Sequence, residues 1–392
     1  ESISISSPNQ DNYIIENNFQ HPAPLYSSKP KIDLSQHKFK PNNQKQAKVD
    51  DRNGGLGKNT FYKFWGSNGT LYINGTGETH DNSEFASGYA SFHTFAGIYK
   101  YIYHIIIDEN VTSLGARLLA TLPNVQEINI HPNSKLNTIG DYCFYRTLPI
   151  QNMTFPETVA TMGRMVCAEC VAIHTIVFPR FLALVPPSIA SGCYNLVNVV
   201  FPENATLIGT SAFANCKGLI NVDIPDCRQI NANAFDGCIN IQTFRFTEHL
   251  QYINKQCFAN CIKLQEIIFN EEISSIGEGA FMACTLLQSI TIPDCVTVIQ
   301  AGAFKDCAAL IDVNLPSGLT YLGDSVFMGC ISLQSLVLPE HINIIGASLF
   351  EGCIGLDDFE IPEICTTIGG RAFFNCIQLT NLKIPDSVKS IA

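Results

Sequence analysis

The residues best suited to chemistry in this chain are its 16 cysteines and 9 histidines. Ten of the cysteines recur at one interval: Cys170, Cys193, Cys216, Cys238, Cys261, Cys284, Cys307, Cys330, Cys353 and Cys376, spaced by 23 residues except for one step of 22 before Cys238. That is a structural period rather than a small disulfide framework. Neighbours in such a file could lie about 5 Å apart, within disulfide reach, but equivalent sites have no reason to pair in one way, and buried cysteine packs as a small hydrophobe. Mostly reduced thiols are expected. Cys167-Ala168-Glu169-Cys170 has metal or redox spacing, but no second pair accompanies it and Cys170 belongs to the period. Cys257 with Cys261 reads the same way. Gly54 to Thr60 resembles a phosphate loop, yet Arg52 stands where its first glycine is needed and Asn59 where Ser or Thr must follow the lysine. No His-Glu-x-x-His and no Gly-x-Ser-x-Gly occurs, and the histidines lack ligand spacing. The sequence therefore predicts no catalytic residue, no metal site and no cofactor, hence no enzyme.

The period must be held by structural elements, and other columns share it. Three residues before the cysteines stand Phe213, Phe235, Phe258, Phe281, Phe304, Phe327, Phe350 and Phe373, a register that extends back through Ala190 and Cys167 to Phe144. Three residues after them comes Leu or Ile, then an apolar-x-apolar-Pro unit such as Ile290-Thr291-Ile292-Pro293. That alternation marks a short strand with one buried face, ended by a proline. Gly115, Gly140, Gly163, Gly209, Gly277, Gly323, Gly346 and Gly369 align, with Asn231 and Asn254 in other units. Glycine and asparagine tolerate positive φ best, so a left-handed turn residue is expected there. Pro186 and Gln300 depart from that column, which predicts irregular structure over residues 181–191. One 23-residue unit cannot bury its own apolar face. Stacked units close a continuous core, with strands about 4.8 Å apart in one long parallel sheet and the rings and thiols in separate files.

These columns resemble the BspA-like leucine-rich repeats, a family of surface-antigen proteins. The clearest matches are Ile276-Gly277-Glu278-Gly279-Ala280-Phe281-Met282-Ala283-Cys284 and Ile368-Gly369-Gly370-Arg371-Ala372-Phe373-Phe374-Asn375-Cys376. Residues 69–77, Gly-Thr-Leu-Tyr-Ile-Asn-Gly-Thr-Gly, are similar to the strand opening that family's N-terminal cap. The expected fold is a β-rich leucine-rich-repeat solenoid of about 11 units of 23 residues, with a parallel sheet on one face and an N-terminal β cap. Its expected division is a polar, low-complexity segment over 1–59, a cap over 60–107 and repeats over 108–392. The chain stops mid-unit at Ala392, so a truncation of a longer protein is expected. The resemblance implies a cell-surface or extracellular adhesin-like protein that binds host or neighbouring-cell proteins. A membrane would be reached only through an anchor absent from this chain.

Charge agrees with a protein partner. The 392 residues carry 24 Lys and Arg against 35 Asp and Glu, a formal −11, which leaves no basic surplus for nucleic acid or an anionic membrane surface. No apolar run approaches the roughly 18 to 20 residues that span a bilayer. Five Asn-x-Ser/Thr sequons, at Asn68, Asn74, Asn110, Asn152 and Asn204, are candidate glycosylation acceptors in the N-terminal half. Strand alternation turns Asp223, Arg245, Glu266, Ile268, Asp312, Val337, Asp358 and Glu360 outward. These eight are the candidate protein-binding residues. The sharpest acidic cluster is Asp357-Asp358-Phe359-Glu360. The competing reading is an intracellular interaction scaffold using the same surface, a compartment that free thiols would suit.

Overall fold

The computed structural model describes residues 50–81 and 94–392. All of them belong to one compact unit, Asn42–Ala392. The polar segment expected over 1–59 therefore lies outside the described residues as far as residue 49, as does 82–93 of the stretch expected to cap the coil.

The chain winds a solenoid of about 13 turns, two more than the sequence columns reveal. Each turn has three sides. The first carries the apolar-x-apolar strands, such as Thr175–Val177, Glu266–Ile268 and Asp312–Asn314. The second carries a two-residue strand ending at the isoleucine before the glycine column, as in Ser275–Ile276 and Val298–Ile299. Both sides pair in parallel with the next turn: Thr175 faces Asn198, and Ser275 faces Val298. The single long sheet expected from the sequence is thus two ladders. The first-side ladder is cut into short sheets, while the second side runs unbroken through six strands from Leu207 to Leu322. The reason is in the pattern: the stretch after the proline has an apolar side of its own, so it too forms strand and buries inward. Around Pro186, which lacks a backbone donor, no pairing links Thr161–Met162 to Val185, although Val185 bridges onward to Ile208.

The third side holds the Ala-Phe-x-x-Cys segment. Its amides alternate between two destinations. Ser211, Phe213 and Asn215 donate to Ala232, Ala234 and Asp236 of the next turn at 2.9, 2.8 and 2.6 Å. Ala212, Ala214 and Cys216 donate three residues back within their own turn. This path needs positive φ at two positions per turn, five residues and one residue before the cysteine column: Ser211 and Asn215, Gln256 and Asn260, Arg371 and Asn375. The expected left-handed glycine column is therefore corrected, since none of its eight glycines has positive φ. They serve close approach instead. A Cβ on Gly140, Gly323 or Gly369 would lie 2.5 Å from the backbone nitrogen of Ala116, Ala301 or Ala347 in the preceding turn. Where Asn254 replaces glycine, its side-chain amide donates to the Ile230 carbonyl at 2.7 Å.

The core is two files. Phe213, Phe235, Phe258, Phe281, Phe304, Phe327 and Phe350 are fully buried and stack through ring centroids 5.5–6.0 Å apart, at interplanar angles of 4–12°. Each buried ring is worth on the order of 3 kcal/mol in apolar area and adds offset-stacking energy. Beside them, each ladder thiol donates to the carbonyl of the previous turn's phenylalanine position: Cys284 to Phe258 at 3.3 Å, Cys307 to Phe281 at 3.2 Å, Cys330 to Phe304 at 3.2 Å. In the first turns Thr147 occupies this column and its buried hydroxyl donates to the Leu119 carbonyl at 2.9 Å. The column thus selects a small side chain with a donor. At the N-terminal end, strands Arg52–Gly55, Thr60–Trp65 and Thr70–Gly75 form an antiparallel layer, and the third pairs in parallel with His104–Ile107 of the coil.

Candidate functional site

The elements that hold the candidate binding residues are the first-side strands, whose inward positions are fixed by the core. Glu266 and Ile268 flank Ile267 and pair with Thr243 and Arg245 of the preceding turn. Asp312 and Asn314 flank buried Val313. In the acidic cluster Phe359 turns inward against Phe350 and Phe373, with ring centroids 4.8 and 5.3 Å away, so Asp358 and Glu360 must point out. Seven of the eight expected residues are exposed: Asp223, Arg245, Glu266, Asp312, Val337, Asp358 and Glu360. Ile268 is half-buried. Val337 is the most open apolar side chain among the described residues, at 85% exposed. Asp223 lies on a stretch with no strand pairing, so its outward position rests on alternation alone.

The solenoid handles charge differently on its sides. On and beside the third side, charges of successive turns neutralise one another: Arg146 meets Glu169 at 2.6 Å, Arg164 meets Asp141 at 3.3 Å, and Lys255 meets Glu278 at 2.8 Å. Glu351 takes a bidentate contact from Arg371. Burial would raise the Glu169 carboxyl, but hydrogen bonds from Arg146 and Tyr145 outweigh it and hold its pKa below the usual value. On the first side, none of Asp223, Arg245, Glu266, Asp312, Asp358 and Glu360 joins an ion pair among the described residues.

The remaining candidates from the sequence are structural. Cys167 and Cys170 are both fully buried, and burial drives their thiols up, Cys170 to about 12. Cys167 sits in the ring column, where its carbonyl accepts the Cys193 thiol at 3.1 Å. All sixteen cysteines are free. Residues 54–60 form the turn of a hairpin, with the Leu56 amide donating to the Thr60 carbonyl at 2.8 Å. Among the described residues no cluster of three His, Cys, Asp or Glu could hold a metal ion, and no helix is long and apolar enough to cross a membrane. Of the sequon asparagines, Asn68, Asn152 and Asn204 are exposed, and Asn74 and Asn110 are half-buried.

A family model described as a BspA type leucine-rich repeat region (6 copies) matches residues 91–196, 185–310 and 275–392. The chain belongs to the BspA type leucine-rich repeat family. Solved structures agree on the fold. A leucine-rich repeat protein from Bacteroides ovatus is 20% identical over 86% of this chain and 99% of its own, with a TM-score of 0.66. A leucine rich cell surface protein from Faecalibacterium prausnitzii is 22% identical over 86% of this chain and 96% of its own, at 0.53. None of the curated proteins matches the chain in sequence. BspA type repeats thus account for the coil, and a repeat scaffold of this kind does not by itself fix a function.

Proposed function

We propose that this chain is the recognition part of a secreted or cell-surface protein, binding proteins of host or neighbouring cells through the first side of its coil. The observation that carries the reading is the contrast in charge use. Several third-side charges pair between successive turns, whereas Asp223, Arg245, Glu266, Asp312, Asp358 and Glu360 on the first side join no ion pair among the described residues, although further toward the N-terminus His104 and Glu127 do pair on that side. Acidic residues at Asp312, Asp358 and Glu360 orient a partner, and Val337 and Ile268 supply apolar contact. A binding role, rather than catalysis, also fits a family whose members include proteins described as cell-surface. The antiparallel layer over residues 52–75 serves as the cap that shields the first turn, with repeats from about residue 104 onward.

The test is a pull-down from solubilised cell-surface proteins with wild type and with Asp312→Lys plus Asp358→Lys. Reduced partner recovery by the double variant is expected; equal recovery would remove the reading. The sixteen free thiols favour one second reading, an intracellular scaffold with the same surface. Mass analysis of protein from its native source separates the two. Glycans on Asn68 or Asn110 would exclude the scaffold.

A further inference from the structure

Successive turns are not joined equally. From His104 onward, turns keep at least one strand pairing or bridge to the next on the first or second side, with a single exception among the described residues. No backbone hydrogen bond on either side joins the turn holding Asp312–Asn314 and Tyr321–Leu322 to the turn holding 335–338 and Ile344–Ile345. In the joint before it, Ile292 donates to the Asn314 carbonyl at 3.0 Å and Gly323 to the Ile299 carbonyl at 2.9 Å. The corresponding donors here, Leu315 and Gly346, make no such bond. The third side stays laddered, with Ser325, Phe327 and Gly329 donating to Ala347, Leu349 and Glu351 at 2.9, 3.1 and 2.8 Å, and at the corner after the cysteine column Ser332 donates to the Ala308 carbonyl at 3.2 Å.

A groove of about 540 Å³ opens at this joint, walled by 312–315 on one side and 335–341 on the other. Residues 335–338 keep strand alternation, with Leu336 and Leu338 buried and Val337 exposed. They bridge to the following turn through Ser335 and Asp358. Two strand edges therefore face each other unjoined, and such edges are templates for an added strand.

We propose that this groove receives an extended segment of a partner protein as an inserted strand, alternating aliphatic with cationic side chains. The proposal rests on the first-side recognition role and names the chemistry of its partner. Alternation follows from the pleat. Inward positions of the added strand would meet Val313, Leu315, Leu336 and Leu338, which are apolar. Outward positions would lie beside Asp312 and Glu340 of the groove walls, with Asp358 and Glu360 on the turn beyond, and no Lys or Arg occurs in 312–319, 335–341 or 357–363. Backbone pairing supplies affinity and the acidic rim selects charge.

Hydrogen exchange with peptide-level mass analysis tests this directly on the whole chain. In the protein alone, amides of Leu315, Ser335 and Val337 exchange about tenfold faster than those of Ile292 and Asp312 at the closed joint. The probe acetyl-Lys-Val-Lys-Val-Lys-amide slows the first set, and its glutamate counterpart does not. Val337→Pro, at an exposed position, removes a strand donor and abolishes the protection. Glu340→Lys weakens it and leaves the thermal midpoint unchanged, so the proposal remains exposed even where the proline variant unfolds. Equal exchange at the two joints, or no protection by the lysine peptide, overturns the proposal; equal protection by both peptides overturns the cationic assignment. Reduced pull-down by Asp312→Lys plus Asp358→Lys without groove protection leaves the wider recognition surface and removes the inserted strand. Groove protection with an unaffected pull-down does the reverse.

Discussion

Replacing Cys284 tests why a thiol stands in this column. Its Sγ donates to the Phe258 carbonyl at 3.3 Å, and that carbonyl also accepts the Cys261 amide at 3.3 Å. Removing the sulfur by Cys284→Ala therefore leaves no buried acceptor wholly without a donor. The loss is one net hydrogen bond, about 0.5–1.5 kcal/mol. The void left by one sulfur adds on the order of 0.5 kcal/mol at roughly 24 cal/mol per Å³. The expected total is about 1–2 kcal/mol. Cys284→Thr keeps the donor in the shape that Thr147 already uses at 2.9 Å, so its expected cost is under about 0.5 kcal/mol. Cys284→Val has the same branched shape without a donor and should fall near the alanine variant. Urea unfolding with a shared m-value reads the series as shifts in midpoint. A threonine variant as unstable as the alanine one, or a valine variant as stable as threonine, refutes the donor argument.

Phe281→Ala removes a ring stacked between Phe258 and Phe304, each 5.6 Å away, and should cost about 3–5 kcal/mol by the same assay; an unchanged midpoint would contradict the ring file. Gly323→Ala places a Cβ 2.5 Å from the Ala301 nitrogen and should destabilise by about 1–3 kcal/mol. Gly318→Ala, whose Cβ meets nothing nearer than 3.7 Å, should be close to neutral; similar midpoints for the two would refute the close-approach role. Glu169 has its folded pKa lowered, so its contribution is present above the carboxylate's ordinary range and is lost as pH falls through the lowered value. Thermal midpoints from pH 7 to 3 should therefore fall less steeply in Glu169→Gln than in wild type, and parallel curves would contradict the Arg146 and Tyr145 assignment.

The turn period, the ring file and the thiol file were legible because core positions demand residue type. Phe281 and Cys284 face the same neighbours in every unit, so the sequence repeats them. Since the glycine column does not hold the left-handed residues, the backbone path of the third side differs from the expected one. Its left-handed residues lie one and five residues before the cysteine column, and the nearer position does carry a signal, with Gly192, Asn215, Gly237, Asn260, Asp306, Gly329, Gly352 and Asn375 aligned. The farther position is mixed, with Asn233, Gly279 and Gly302 beside Arg117, Tyr142, Met165 and Gln256, which gives only a weak cue, because ladder bonds to the next turn hold the conformation against local preference. Thr147 was missed in the thiol column because the shared property is a donor rather than an element type. The acidic outward residues could be read from alternation, whereas the open joint could not. Units 312–334 and 335–357 are equal in length and carry the same columns.

The most direct test of the coil uses its sixteen cysteines as reporters along its length. Fourteen are buried and two, Cys295 and Cys376, are half-exposed. Burial also raises ladder thiols such as Cys284, Cys307 and Cys330, Cys307 to about 12, which suppresses the reactive thiolate. Native alkylation read by mass spectrometry should mark Cys295 and Cys376 first and leave the remaining file unlabelled until the protein unfolds. Early labelling spread across Cys216, Cys261, Cys307 and Cys353 would contradict a solenoid whose turns share one interior.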